Sequence, residues 1–294
     1  MSSFATFAPV LDAVRGIGWP ALRRVRSAVP GPHVSRVRGT SAEVVEYRPY
    51  RQGDDPKKID WKLVGRTNRV YIRLSQERAI LPTMLVLDAS GSMAFPAPGN
   101  DKWELARRIG IGLAEVARQK GDPVGMTVVH PGGTRTIAPR SRRTVLEEMM
   151  HAVDLVPAGS GPLAPDVRAA TRRCARLVII ADFLGDADAL LAVGRAFVAA
   201  GGELHAIHVV DAGELDPDPK KMLLTDPEQP ELRRPMPPPA RAEYVRRFAA
   251  WRDALARDWR HAGAVYSMVV PGSEPVRGMI RRITTPPGAA RIGH

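Results

Sequence analysis

An aspartate and two serines at alternate positions, Asp88, Ser90 and Ser92, follow directly on the apolar run Leu85-Val86-Leu87. Carboxylate and hydroxyl oxygens are hard donors. One carboxylate with two neutral oxygens suits a magnesium-sized ion, which takes few protein ligands and keeps several positions for water or for a partner's oxygens. A cation held by so little negative charge stays electrophilic and accepts a further carboxylate, so the chemistry expected is docking rather than catalysis. A plainer reading has Ser90 and Ser92 capping the helix that follows.

Catalytic layouts on the same residues fail at particular positions. Aspartyl-phosphate chemistry of the haloacid-dehalogenase type calls for a second aspartate two residues on, and Ser90 stands there. The chain has no Gly-x-x-x-x-Gly-Lys-Ser/Thr phosphate loop, and neither serine sits in a Gly-x-Ser-x-Gly elbow. None of the seven histidines belongs to a His-Glu-x-x-His pair; His205 and His208, three apart in an extended run, should face opposite sides of it. The expectation is a protein that is not an enzyme.

The elements that must position Asp88, Ser90 and Ser92 follow from apolar periodicity. Extended runs at Met84 to Leu87, Val124 to Val129, Leu177 to Ile180, Glu203 to Val210 and Ala264 to Val269 alternate with amphipathic segments at Lys102 to Lys120, Thr144 to Leu155, Pro165 to Cys174, Ala187 to Ala200 and Arg241 to His261. A further run, Thr134 to Ile137, closes a hairpin across Pro131-Gly132-Gly133. Continuously apolar strands alternating with helices predict an α/β fold with a doubly wound, mainly parallel sheet covered on both faces. In such a sheet ligands bind outside the carboxyl ends of the strands, where Asp88 falls.

Four further segments frame this region. Residues 1–29 read as an amphipathic helix carrying Phe4, Phe7, Val10, Leu11, Val14, Ile17 and Leu22; residues 30–80 as a small section of short antiparallel strands, Val44 to Tyr47 and Val70 to Leu74. The sheet domain then occupies 81–285, interrupted by a proline-rich excursion at 216–239, and 286–294 form a tail.

The 294 residues suffice for one large domain with a modest appendage. A 44% hydrophobic and 25% charged composition excludes wholesale disorder. No run approaches the roughly 18 apolar residues of a membrane span, and Met1 to Trp19 lacks the layout of a secretory signal. The single cysteine, Cys174, favours a reducing compartment, so the cytoplasm is expected. A net charge of +12 attracts anionic partners, but the arginines are scattered and aromatics are only 5%, which disfavours a base-stacking surface. A basic nucleic-acid or anionic-membrane-surface binder is the alternative function.

Asp-x-Ser-x-Ser at the end of the first parallel strand resembles the metal-ion-dependent adhesion site of von Willebrand factor type A domains. The run Arg48-Pro49-Tyr50-Arg51-Gln52-Gly53-Asp54-Asp55-Pro56-Lys57-Lys58-Ile59-Asp60-Trp61-Lys62, then Gly65-Arg66 and Glu77, resembles the signature of the bacterial family called domain of unknown function 58. That family carries a type A-like domain after the signature, and the similarity covers roughly Pro32 to Val270. The resemblance assigns Asp88, Ser90 and Ser92 to the metal loop and implies a threonine from a later loop and an aspartate from a later strand end. Asp182 matches the aspartate; its alternative role is as a helix cap or turn residue. The threonine position holds Gly161, and Ser160, one residue earlier, is the hydroxyl that would stand in. Magnesium or another divalent cation, weakened by Gly161, is thus implied, with a protein partner that offers an acidic residue. The family's association with MoxR-type AAA+ ATPases implies an adaptor or chaperone-like role. The signature itself has no catalytic layout; Asp54, Asp55 and Asp60 among Arg48, Arg51, Lys57 and Lys58 read as a loop fastened by ion pairs, with Arg66, Arg73 and Glu77 as candidate members of the same network.

Overall fold

The computed structural model describes residues 3–22, 45–54, 56, 59–75, 80–96, 99, 101–218, 223–225, 233–235 and 237–285. These fall into two compact units, one made of 1–26 with 81–294 and the other of 27–80. The expected tail at 286–294, the positions of Glu77, Asp55, Lys57 and Lys58, and the end of the expected N-terminal helix lie outside the described residues.

In the larger unit a six-stranded sheet is built from β3 (Thr83–Asp88), β4 (Val124–Val129), β5 (Arg135–Arg140), β6 (Arg176–Ala181), β7 (Glu203–Val209) and β10 (Val265–Val269), in the order β10-β7-β6-β3-β4-β5. Every pairing is parallel except that of β5 with β4, so the expected doubly wound, mainly parallel sheet is present. From β3 the chain moves outward to β4 and β5, then returns to lay β6 on the other side of β3. The strand order therefore reverses between β3 and β6. Loops leaving these two strands diverge and open a crevice at their carboxyl ends.

Both faces of the sheet are apolar, as the near-continuous hydrophobic strands require. Leu85 and Leu87 of β3 join a core with α1 (Ser3–Ala13), α3 (Asp101–Gln119), α4 (Thr144–Ala152) and α9 (Val276–Thr284); Met84 and Val86 join a second core with α5 (Ala164–Thr171), α6 (Ala187–Ala199) and α8 (Pro238–His261). The alternation follows from the two-residue period of a strand. His205 and His208 are both buried on β7; His205 packs edge-on to Trp19, and His208 packs against Phe183 and Trp251.

The N-terminal segment is a shorter helix than its apolar spacing predicts. Its helix stops at Ala13, because Gly16 adopts φ +78° and Gly18 and Pro20 follow. Phe7, Val10 and Val14 are nonetheless buried. Close approach is possible because α3 carries Gly112 at the crossing: a Cβ there would lie 2.3 Å from Ile280 Cδ1 of α9 and 3.1 Å from Val10 Cγ1 of α1. Helix α9 is absent from the sequence expectation, although Val276, Met279, Ile280 and Ile283 have helical spacing. Within the proline-rich excursion, β8 (Leu223–Thr225) and β9 (Arg233–Pro235) pair antiparallel. Helix α8 starts three residues earlier than expected, with Pro238 in its first turn, where its missing N–H has no intrahelical acceptor to lose.

At the amino ends of the strands lies a buried ionic cluster. Arg176, fully buried at the start of β6, donates from Nε to Glu203 Oε1 at 2.6 Å, and its guanidinium stacks over Trp19 at 4.2 Å. Glu203 Oε2 accepts the Leu22 N–H at 3.0 Å, and His205 Nε2 lies 3.0 Å from Oε1. Asp122 lies 3.6 Å from Arg176 Nη1 and accepts the Leu81 N–H at 3.0 Å. Arg176 thus faces both carboxylates that hold the chain where it leaves this unit and where it re-enters. Burial opposes the charge of Glu203, but His205, Arg176 and Leu22 outweigh it and bring its pKa down to about 2.

In the smaller unit β1 (Val45–Pro49) and β2 (Tyr71–Ser75) pair antiparallel, with α2 (Trp61–Thr67) between them. Arg48 grips Asp54 through two hydrogen bonds of 2.8 and 2.7 Å, and Arg51 N–H donates to the same carboxylate at 2.8 Å. Asp60 caps α2 by accepting from Lys62 N and Leu63 N. The Arg48–Asp54 pair fastens the signature loop as the ion-pair reading expects, while Asp60 serves as a helix cap; Trp61 is 69% exposed.

Candidate functional site

Asp88 ends β3, and the chain turns at once into a single 3-10 turn, Gly91–Ala94. Ser90 N–H donates to Asp88 Oδ1 at 2.9 Å, which curls the loop back over the strand end. Ser90 occupies the cap position of the turn, yet its side chain makes no capping bond; its Oγ lies 3.1 Å from Ser92 Oγ. The helix-cap role is therefore not what these hydroxyls perform. The loop is pinned to its neighbour by Gly91 N–H donating to Gly159 O at 2.7 Å and Ala158 N–H to Ala89 O at 3.2 Å. That pairing carries Ser160 and Gly161 to the same place.

Asp182 follows β6 on the other side of the reversal point. It is 3% exposed, and its Oδ1 accepts the Leu184 N–H at 3.2 Å. Between them Phe183 holds φ +57°, a left-handed conformation unusual for a bulky residue, and its ring packs on His208 and Trp259. The turn-residue role of Asp182 is thus present together with its place in the cluster. Asp88, Ser90, Ser92, Ser160, Gly161 and Asp182 all line one cleft of about 290 Å³.

Two residues not expected here complete the group. Lys102, in the first turn of α3, is fully buried, and its ammonium donates to Asp182 Oδ2 at 2.9 Å and to Glu214 Oε1 at 2.8 Å. Glu214 comes from α7 (Ala212–Leu215), where it forms a capping box with Asp211. Both left a trace in the sequence. Lys102 lies on the apolar stripe of its own helix, in line with Leu105, Ala106 and Ile109, where a cation needs a buried counter-charge. Asp211 and Glu214 have the spacing of a capping box.

The charges are unequal. Asp88, Asp182 and Glu214 face one ammonium, so the four groups carry −2 when all are ionised. Burial works against Asp182, but Lys102 beside it keeps that carboxyl below the usual range; Lys102 itself is held above the usual lysine range by Asp182 and Glu214 in spite of its burial. Burial, with the charge of Asp182 added, pushes Asp88 up to about 7. Burial likewise raises Glu214.

The donor set fits a magnesium-sized ion. Adjacent ligands of an octahedral ion at about 2.1 Å lie roughly 3.0 Å apart, so the two hydroxyls, hydrogen-bonded to each other at 3.1 Å, need not move apart to serve one ion. Asp88 supplies a carboxylate with a deficit of positive charge. Ser160 lines the cleft one residue from Gly161, and a Cβ at Gly161 would meet nothing within 4 Å. Asp182 fits least well as a direct ligand, because Lys102 already occupies one of its oxygens and the Leu184 N–H the other. Among the described residues, no three His, Cys, Asp or Glu side chains form a metal cluster by themselves, and no helix is long and apolar enough to cross a membrane.

The family described as "Protein of unknown function DUF58" matches residues 46–254. Over 291 residues the chain is 26% identical to uncharacterized proteins of Mycobacterium bovis and Mycobacterium tuberculosis, covering 96% of this chain and 91% of each relative. Among solved structures it is similar to BatB from Bacteroides thetaiotaomicron, at 16% identity, 69% of this chain, 96% of that one and a TM-score of 0.44. It is also similar to the SpRpn10 VWA domain, at 11% identity, 69% and 94% coverage and a TM-score of 0.40.

Proposed function

Since the chain belongs to the DUF58 family, we propose that it is a non-enzymatic protein-interaction module whose docking point is a divalent cation at Asp88, Ser90 and Ser92. The observation that carries this reading is the convergence of those three side chains on an open cleft at the strand-order reversal, with hydroxyl oxygens at the separation of adjacent ligands. When bound, the ion supplies a Lewis-acidic position that a carboxylate can complete. Asp88 contributes charge, the serines contribute neutral oxygens, and Ser160 lends a further hydroxyl at the rim. With one direct carboxylate, the set leaves room for an acidic side chain from a partner protein. The family resemblance extends the proposal to an adaptor or chaperone-like role beside a MoxR-type AAA+ ATPase.

The test is a magnesium titration of the whole chain followed by thermal unfolding, with Asp88→Ala as control. A saturable rise in Tm in the wild type that the variant lacks is expected; equal behaviour of the two proteins refutes the metal reading. Partner capture should then be abolished by chelator. Binding to DNA or anionic vesicles that falls steeply with salt and ignores chelator would instead favour the nucleic-acid or membrane-surface alternative.

A further inference from the structure

We infer that Lys102 is a resident counter-cation that withholds Asp182 from the metal, so that a divalent ion at Asp88, Ser90 and Ser92 takes its direct carboxylate from Asp88. The inference rests on the metal reading above and concerns what sets the strength of that site. The ammonium has no exposure and two partners, at 2.9 Å on Asp182 and 2.8 Å on Glu214, which come from the loops after β6 and β7. Lys102 N–H also donates to Phe95 O at 3.3 Å, and the neighbouring Trp103 Nε1 to Leu155 O at 3.0 Å, so the first turn of α3 is tied down on both sides. A lysine held this way cannot swing out to meet a partner. What it does is hold Asp182 Oδ2, while Oδ1 accepts the Leu184 N–H and the Ser92 hydroxyl bonds to the same carboxylate.

Two consequences follow from charge alone. With Lys102 in place the ionised cluster of Asp88, Asp182 and Glu214 carries −2, which one divalent ion neutralises; without it the same carboxylates, when ionised, carry −3 and hold the ion harder. Asp186 lines the cleft as well, and its Oδ2 accepts the Ala164 N–H at 2.9 Å. Lys102 therefore keeps the ion weakly held and still short of negative charge, the condition under which it takes a carboxylate from outside. The relevant partner chemistry is an acidic side chain on a protein, since a site already saturated by its own aspartates would have no need of one.

The experiment uses Mn2+ as the probe and counts free ion by electron paramagnetic resonance, on the full chain and three variants. Lys102→Met should bind Mn2+ at least tenfold more tightly than the wild type. The double variant K102M/D182N, which removes the cation together with the carboxylate it neutralises, should return to within about threefold of the wild type. Asp88→Asn should lose binding. Mn2+ bound equally by wild type and K102M overturns the inference while leaving the metal reading in place. No Mn2+ on the wild type or on any variant overturns both. If K102M does not fold, the double variant carries the test: a loss of tenfold or more there means that Asp182 already serves the ion in the wild type, and the inference fails.

Discussion

Replacing Glu203 by Gln should cost about 3 kcal/mol at neutral pH and should cost nothing near pH 2. The carboxylate is 4% exposed and bonded to Arg176, so little solvent screening applies. Its pKa falls from 4.5 to about 2 on folding. Each unit corresponds to about 1.4 kcal/mol, which gives roughly 3 kcal/mol. Removing one partner of a buried ion pair costs about 3–5 kcal/mol, and the lower end applies because Arg176 keeps Asp122 and the face of Trp19. A group whose folded pKa is depressed gives stability that is complete above its unfolded pKa and disappears as pH falls through its folded pKa. The window is therefore pH 4.5 down to about 2. Urea unfolding of wild type and Glu203→Gln at pH 7, 4.5, 3 and 2 measures the gap directly. It should be full at pH 7 and close across that window. A gap below about 1 kcal/mol at pH 7, or one that stays constant down to pH 2, would refute the assignment of this carboxylate as the charge that holds Arg176.

Three further outcomes are expected. Gly161→Thr should tighten Mn2+ binding roughly tenfold, about 1.4 kcal/mol, because the added side chain meets open space at the cleft and restores a hydroxyl; unchanged affinity would show that this position does not face the ion. Gly112→Val should destabilise by about 1–3 kcal/mol through overpacking and should release α1 to limited proteolysis, since its Cβ collides with Ile280 and crowds Val10; a protease pattern identical to wild type would count against the α1–α3–α9 contact. Phe183→Ala should lower stability by about 3 kcal/mol by emptying the space between His208 and Trp259, and a loss below about 1 kcal/mol in urea unfolding would contradict that packing.

Much of the fold was legible because strands buried on both faces and helices with one apolar stripe leave strong, different periods. The sheet strands and the major helices fall where the runs from Met84 to Val269 place them. Asp88, Ser90 and Ser92 were legible as a group because they alternate within five residues at one strand end, so local spacing alone brings them together. Lys102 and Glu214 were not, because their meeting depends on helix α3 and the loop after β7 converging in space, 112 residues apart in sequence. Helix α9 was missed although its stripe is regular, since it is only nine residues long and begins after Ser273, Glu274 and Pro275. The helix expected over 1–29 ran too far because Ile17, on its apolar spacing, is still buried after the backbone has left the helix. Burial periodicity there reports contact with the core and not conformation.

The meeting of α1 with α9 has a consequence for how the molecule is made. Residues 3–13 find their cover on α3, on α4 and on α9, which ends at Thr284. At about 5–20 residues per second of synthesis, Phe7 and Val10 wait roughly 15–50 s on the ribosome before their final partner has been translated. During that interval the apolar stripe of α1 lacks part of its cover, and α9 fastens it once made.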